Sequence, residues 1–126
     1  MRLIFLGTPD FAVPPLLALS RAGHEIAAVV ARPDQPSGRG KKLHPTPVKQ
    51  AALNLGLPVY EPADINSPEA LALLRDLRPD ILVVVAYGQF LGEALLALAP
   101  YGAVNIHASL LPAYRGAAPI HWAVLN

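Results

Sequence analysis

The stretch DILVVVAYG, Asp80 to Gly88, decides the fold of this chain. It contains an unbroken run of apolar residues between an aspartate and a glycine, which is typical of a strand buried on both faces of a parallel sheet. Two similar runs precede it, LIFLG at Leu3 to Gly7 and EIAAVVA at Glu25 to Ala31. Three strands of this type predict a sheet with helices packed on both of its faces.

Helix-forming segments alternate with these strands. PPLLALSRAG (14–23) has prolines suited to a first turn and a glycine suited to a helix end. TPVKQAALNLG (46–56) and SPEALALLRDL (67–77) each begin with a capping hydroxyl followed by proline. LPVYE and GAVNIHA read as further strands, and GEALLALAP as a short helix. The pattern predicts an α/β fold, doubly wound, with a mainly parallel, Rossmann-like sheet and flanking helices.

Length and composition limit the classes of protein to consider. A chain of 126 residues can form one domain with a core but not two. The absence of cysteine excludes disulfides, thiolate metal sites and a cysteine nucleophile. No stretch approaches the roughly 18 uncharged apolar residues of a membrane span, and MRLIFLG resembles neither a secretory signal nor a transit peptide. We therefore expect a soluble, cytoplasmic protein without a membrane partner.

Positive charge is concentrated in one segment. The net charge is only +1, but the region from Arg32 to Lys49 carries five cations against a single anion, Asp34. The cations are Arg32, Arg39, Lys41, Lys42 and Lys49. Much of this region is the stretch RPDQPSGRGKKLHP (32–45), which we predict to be a long irregular loop, functional or flexible. A partner that carries phosphates could bind at this one place.

The carboxyl ends of the strands are the expected ligand site of a doubly wound sheet. The turn after Gly7, GTPDFA, lacks the glycine pattern of dinucleotide-binding sites, and it reads equally as an ordinary turn or as a binding turn. The turn AYGQFL (86–91) contains Gly88, which allows close backbone approach, and Phe90 and Leu91 could line a flat heterocycle. Packing in the core is the alternative for these two apolar side chains.

The last predicted strand ends with two polar residues, Asn105 and His107. Alternate residues of a strand point to the same face, so these side chains would lie about 6.5 Å apart on one face. An amide donor beside a titratable imidazole can hold an oxyanion and move a proton, as in acyl transfer. Burial against backbone carbonyls is the alternative. No pair of histidines has helical ligand spacing, so we predict no metal site.

The residues after this strand are expected to shape the same site. Ser109 to Pro112 should form a rigid turn, and Pro119 is suited to the first position of a helix whose free N–H groups would point at the site. Arg115 could bind a carboxylate or phosphate, or form a surface ion pair.

Four motifs together resemble a known family. FLGTPDFA, RPDQPSGRGKKL, VVVAYGQFL and NIHASLLPAYRGAAPIHWAV occur in the order and spacing of the methionyl-tRNA formyltransferases, and the resemblance spans the whole chain. The N-x-H motif with SLLP and RGA is shared by the wider group of enzymes that use 10-formyltetrahydrofolate. The resemblance therefore implies formyl transfer from 10-formyltetrahydrofolate to the α-amine of initiator methionyl-tRNA, in translation initiation. The alternative acceptors are glycinamide ribonucleotide and an amino sugar nucleotide, and a non-catalytic ligand- or RNA-binding module is the alternative of another class.

The resemblance also implies roles for individual residues. Asn105 and His107 would be two members of a catalytic Asn, His, Asp trio. The donor site would be formed by Gly88, Gln89, Phe90, Leu91, Ser109, Leu110, Leu111 and Pro112. The tRNA would be bound by Arg39, Lys41 and Lys42.

The family pattern extends past the end of this sequence. The third catalytic residue, an aspartate, is expected after Asn126, as is a separate tRNA-binding domain. We therefore expect residues 1–126 to be the first part of the catalytic domain, to be inactive or nearly so alone, and to belong to an enzyme that is a monomer at full length.

Overall fold

The computed structural model describes the backbone of residues 1–33, 35–37, 42–108 and 120–125, and the side chains of residues 1–33 and 45–106. Strands and helices alternate along most of these ranges, as the sequence predicts. The strands are β1 Arg2–Gly7, β2 Glu25–Val30, β3 Gln35–Ser37, β4 Lys42–His44, β5 Val59–Tyr60, β6 Ile81–Val85, β7 Ala103–Ala108 and β8 Ile120–Leu125. The helices are α1 Val13–Arg21, α2 Pro47–Asn54, α3 Pro68–Asp76 and α4 Glu93–Leu96, with a short 3₁₀ helix at Asp10–Ala12 before α1.

The main sheet has the order β5-β2-β1-β6-β7-β8. The first five of these strands are parallel, and β8 is antiparallel to β7. From β1, the chain first adds β2 and β5 on one side and later adds β6 and β7 on the other. The strand order therefore reverses between β1 and β6, and the prediction of a doubly wound, mainly parallel sheet is confirmed.

The helix starts follow from the capping residues in the sequence. The Thr46 hydroxyl accepts a hydrogen bond from the N–H of Lys49 at 3.4 Å, and the Ser67 hydroxyl accepts one from the N–H of Ala70 at 3.1 Å. A proline occupies the first or second position of α1, α2 and α3, where no N–H is needed. No helix within the described ranges has the length and apolar character needed to span a membrane.

Two apolar layers cover the two faces of the sheet. On one face, α1 and α2 pack on the strands; the buried residues of this layer include Leu3, Phe5, Leu16, Val29, Val48, Val83 and Ile106. On the other face, α3 and α4 pack on alternate residues of the same strands; the buried residues there include Ile4, Leu6, Ile65, Leu74, Leu82, Val84, Tyr87 and Leu95. Both sides of β1 and β6 are therefore buried, as their continuous apolar sequences predict.

The loop from Arg32 to Pro45 contains more order than we expected. Its described residues form an antiparallel pair of strands, β3 and β4, with Gln35 opposite His44 and Ser37 opposite Lys42. The prediction of a wholly irregular loop is therefore wrong. Pro36 argues against a strand in the interior of a sheet, but a two-stranded ribbon has only edge strands, and an edge strand tolerates a missing N–H.

The segment after Pro119 also differs from the prediction. We expected a helix to begin there, but Ile120–Leu125 forms β8, which pairs with β7 from Ala108↔Ile120 to Ala103↔Leu125. The outer edge of β7 would otherwise present unpaired N–H and C=O groups, and a chain rich in β-branched and aromatic residues is suited to pair with it. Pro119 itself lies outside the described residues.

Candidate functional site

The carboxyl ends of β1 and β6 meet at the point where the strand order reverses. Gly7, the last residue of β1, is the register partner of Val85, the last residue of β6. Ligands of doubly wound sheets bind in the crevice outside such a pair of strand ends. An apolar cleft of about 150 Å³ also lies beside α1, between residues such as Met1, Leu19 and Ile81, but it is near the amino ends of the strands, and its lining is apolar apart from His24.

Thr8 connects the strand ends by hydrogen bonds. Its hydroxyl donates to the carbonyl oxygen of Tyr87 at 2.6 Å and accepts from the N–H of Arg32 at 3.4 Å. The turns after β1, β2 and β6 therefore converge on one side chain. Sequence reasoning selected the turn after Gly7 but did not single out Thr8, because its partners lie 24 and 79 residues away along the chain.

The Gly88–Leu91 loop, which the sequence predicts to bind the donor, has an unusual backbone at its start. Ala86 and Gly88 both have positive φ, 51° and 104°. The Arg32 side chain lies against Gly88, because a Cβ at Gly88 would come within 2.9 Å of Arg32 Cδ. The Nη1 of Arg32 also donates to the Gly88 carbonyl at 3.4 Å. A side chain at Gly88 would therefore force the Arg32 side chain to shift.

Two amide side chains anchor the remainder of the loop. Gln89 donates to the carbonyl of Ala63 at 3.0 Å and accepts from the N–H of Ile65 at 3.1 Å. Asn66 donates to the carbonyl of Phe90 at 2.7 Å and accepts from the N–H of Gly92 at 2.8 Å. The Gln89 amide thus holds the loop to the body of the protein, and Asn66, which sequence reasoning missed, does the same.

Phe90 differs from its neighbours because its ring is turned outward. It is 82% exposed, whereas Leu91 is half-buried and packs against the α3 and α4 layer. An aromatic ring left in solvent on an anchored backbone is available to a ligand, while Leu91 contributes to the core. The sequence left both alternatives open for both residues.

Asn105 lies in β7 beside the end of β6. It is the register partner of Val84, and it is half-buried. Val84 belongs to the α3 and α4 layer, and neighbours in register on parallel strands face the same side, so Asn105 lies on that side. His107 follows two residues later in β7. The structure therefore brings the backbone of this pair to the same edge as the Gly88–Leu91 loop.

Other predicted site residues fall outside the described part of the structure. These are the side chains of His107 and Lys42, together with Ser109, Leu110, Leu111, Pro112, Arg39 and Lys41. Their roles stay predictions, as does the choice of roles for Arg115. Among the described residues, no group of three histidine, aspartate or glutamate side chains is arranged to hold a metal ion.

Tyr87, the residue before the Gly88–Leu91 loop, has a buried phenol side chain. Its side chain is 2% exposed, and its hydroxyl has no hydrogen-bond partner among the described residues. Burial raises the pKa of Tyr87 to about 12, which the nearby Arg32 charge lowers only in part, while Tyr60 and Asp64 raise it further. The phenol is therefore neutral at physiological pH, and it can donate a hydrogen bond but cannot act as a base.

Comparison with known proteins agrees with this architecture. The chain is 61% identical over 126 residues to the methionyl-tRNA formyltransferase of Moorella thermoacetica and 56% identical to that of Pelotomaculum thermopropionicum. Each match covers 100% of this chain and 40% of the relative, so the chain spans well under half the length of these curated relatives.

A solved structure supports the fold independently of close sequence identity. The phosphoribosylglycinamide formyltransferase of Bacillus halodurans superposes with a TM-score of 0.62 at 17% identity, over 100% of this chain and 81% of that one. The model of the formyl transferase family matches residues 1–126, from the first strand through the N-x-H strand and beyond. Since this match extends over the whole chain, the chain belongs to the formyl transferase family.

Proposed function

We propose that this chain is the amino-terminal part of the catalytic domain of an enzyme that transfers a formyl group from 10-formyltetrahydrofolate to the α-amine of methionine on initiator tRNA. The structural observation that supports the proposal is that the anchored Gly88–Leu91 loop and the strand with Asn105 lie at the same edge of the sheet. The chain is also 61% identical over its whole length to a methionyl-tRNA formyltransferase.

The donor would bind against the Gly88–Leu91 loop. The exposed Phe90 ring offers a flat apolar surface to a pterin. Since Gln89 and Asn66 hold the loop by hydrogen bonds, little conformational freedom is lost when the donor binds. Ser109 to Pro112 would contribute the other side of this site.

The polar residues of β7 would promote the chemical step. The amine attacks the formyl carbon, and the carbonyl oxygen becomes an oxyanion, to which the Asn105 amide and a protonated His107 would donate hydrogen bonds. The bond between the formyl carbon and N10 then breaks, the amine loses a proton, and N10 gains one. One oxyanion donor is typically worth about 3 kcal/mol in such reactions. An aspartate elsewhere in the complete protein would keep the imidazole protonated.

The acceptor is proposed on two grounds. Relatives named for methionyl-tRNA are 51% to 61% identical to this chain, whereas the solved structures named for glycinamide ribonucleotide are 17% to 25% identical. The basic segment with Arg39, Lys41 and Lys42 provides positive charge suited to the phosphates of tRNA.

An acceptor screen with the complete protein tests this function. Donor carrying a radiolabelled formyl group is offered with methionyl-tRNA, glycinamide ribonucleotide or an amino sugar nucleotide, and labelled product is counted. We expect label only on methionyl-tRNA. Label on either small acceptor would overturn the choice of acceptor, and binding of tRNA and folate without any transfer would indicate a non-catalytic module.

Variants of the β7 residues test the catalytic roles. Asn105→Ala and His107→Ala should each lower kcat by about 10² to 10³ while the enzyme still binds tRNA. His24→Ala is a matched control, because His24 lies just before β2 at the opposite edge of the sheet and lines the apolar cleft there. Equal rates for His107→Ala and the wild type would remove His107 from the mechanism.

A further inference from the structure

Arg32 connects two strand ends that are not neighbours in the sheet. It follows β2, while the loop that it contacts follows β6, and β1 lies between these strands. The N–H of Arg32 donates to the Thr8 hydroxyl at 3.4 Å, and its Nη1 donates to the Gly88 carbonyl at 3.4 Å. One residue thus spans the point where the strand order reverses.

The stem of Arg32 also sets how close the loop can come to the sheet. A Cβ at Gly88 would lie 2.9 Å from Arg32 Cδ and 3.8 Å from Cγ. The loop backbone therefore rests directly on the aliphatic part of the arginine. The side chains of Gln89 and Asn66 form hydrogen bonds between the loop and the segment that connects β5 to α3. Arg32, which follows β2, adds a further side-chain hydrogen bond to the loop, at the Gly88 carbonyl.

A contribution to stability is a poor explanation for this arginine. Its Nε is buried and has no hydrogen-bond partner among the described residues. A buried donor without an acceptor costs free energy, so an apolar side chain of similar length would fill the same space more favourably. The arrangement makes better sense if the position of the loop matters for function.

We propose that Arg32 is a positioning residue for the donor site, which holds the Gly88–Leu91 loop at the distance from the sheet that donor binding requires. The proposal rests on the function proposed above, in which this loop binds the folate donor. Arg32 acts through Gly88 and does not itself contact the reacting atoms.

Steady-state kinetics of the complete enzyme with Arg32→Met and Arg32→Lys test this role. Methionine keeps an unbranched stem but removes the hydrogen bond, so the KM for the donor should rise roughly five- to tenfold, as expected for one lost hydrogen bond. The kcat and the KM for methionyl-tRNA should stay within about twofold of wild type, because the loss acts on binding of the donor alone. Lysine can still donate to the Gly88 carbonyl and should recover part of the donor affinity. Arg21→Met, at the exposed end of α1, is the matched control.

A double-mutant cycle isolates the contact between the two residues. Gly88→Ala should weaken donor binding strongly in the wild type, because its φ of 104° is strained for alanine and because the new Cβ meets Arg32 Cδ. In an Arg32→Ala background that atom is absent, and the same substitution should have a smaller effect. Additive effects would show that the two residues do not act through this contact, and would overturn the proposal.

Two further outcomes separate this proposal from competing explanations. If Arg32→Met raised the KM for methionyl-tRNA and reduced its salt dependence, with the donor KM unchanged, Arg32 would be a tRNA contact and the proposal would be wrong. If the wild type did not formylate methionyl-tRNA, the proposed function would fail first. Calorimetric titration of tetrahydrofolate into the wild type and Arg32→Met would then test the positioning role directly, since it needs no acceptor. Equal affinities would contradict it.

Discussion

The Thr8 hydroxyl donates a hydrogen bond of 2.6 Å to the carbonyl of Tyr87, which joins the turn after β1 to the turn after β6. The same oxygen accepts from the N–H of Arg32. Thr8→Val keeps the shape of the side chain but removes both hydrogen bonds, and it should lower the free energy of unfolding by about 1–3 kcal/mol. Urea denaturation measures this loss. Thr8→Ser retains the hydroxyl and should lose less, so equal losses for serine and valine would show that the methyl group matters instead.

The packing between β1 and β6 leaves no room for a side chain at Gly7. A Cβ at Gly7 would lie 2.9 Å from the carbonyl oxygen of Val85 and 2.8 Å from a ring carbon of Phe5. The carbonyl belongs to the neighbouring strand and cannot move without displacing it, so Gly7→Ala should cost about 1–3 kcal/mol of stability. Gly102→Ala gives a comparison for backbone strain alone, because no atom lies within 4 Å of its added Cβ but its φ of 74° is strained for alanine. A neutral Gly7→Ala would mean that the strand ends can separate freely.

Tyr87 should make the stability sensitive to alkaline pH. Its pKa is raised to about 12 by burial, so the folded protein holds the phenolic proton more tightly than the unfolded chain, whose tyrosine pKa is about 10. The stabilisation is complete below pH 10 and is lost as the pH rises from about 10 to about 12. Tyr87→Phe should remove this component of the pH dependence. It should cost little at neutral pH, because the hydroxyl has no partner among the described residues.

The ultraviolet absorbance of tyrosinate checks the same assignment. The folded protein should show a final step near pH 12 that belongs to Tyr87, and Tyr101→Phe, at a residue 68% exposed, should leave that step in place. A final step that persists in Tyr87→Phe would assign the raised pKa to another tyrosine.

The strand ends were predictable from the sequence, but their connections were not. The buried runs that end at Gly7 and near Val85 follow from the alternation of apolar strands and capped helices, whereas the strand order that places the switch point between them was not predicted. The links through Thr8 and Arg32 join residues 24 to 79 positions apart, and no local pattern signals such a contact. The N-cap roles of Thr46 and Ser67, which depend on only three following residues, were predicted correctly.

The residues around the loop show the same limit. Gln89 was predicted as a donor-binding residue, and its side chain is hydrogen-bonded to the backbone of Ala63 and Ile65, so its contact with the donor stays a prediction. A glutamine that binds a ligand and one that fixes a loop have the same sequence signature, since both follow a strand and a glycine. The pairing of β3 with β4 was also missed. A proline in a short polar segment predicts a loop, and no local pattern in the sequence indicates which segment would pair with it.

Substitution of Phe90 should change donor binding without changing the stability of the fold. Its ring is 82% exposed, so Phe90→Ala removes little buried surface and should change the free energy of unfolding by less than about 0.5 kcal/mol. Under the proposed function the same change removes the stacking surface and should raise the donor KM about tenfold or more. Phe5→Ala should have the opposite effect on stability. Phe5 is fully buried, so its replacement should lower the free energy of unfolding by about 3–5 kcal/mol. Unchanged donor kinetics in Phe90→Ala would place the donor elsewhere.

The basic segment should determine the salt dependence of tRNA use. If Lys41 and Lys42 each contact a phosphate, replacing both by alanine removes two contacts and should reduce the slope of log affinity against log salt concentration by roughly 1.5 to 2. Affinity for methionyl-tRNA should fall most at low salt, while the KM for the donor stays unchanged, because neither lysine belongs to the proposed donor site. The matched control replaces Arg21 and Arg75, two exposed arginines at the ends of α1 and α3, and lowers the net charge by the same amount. Equal slopes for the two double variants would show that overall charge, and not this segment, attracts the tRNA.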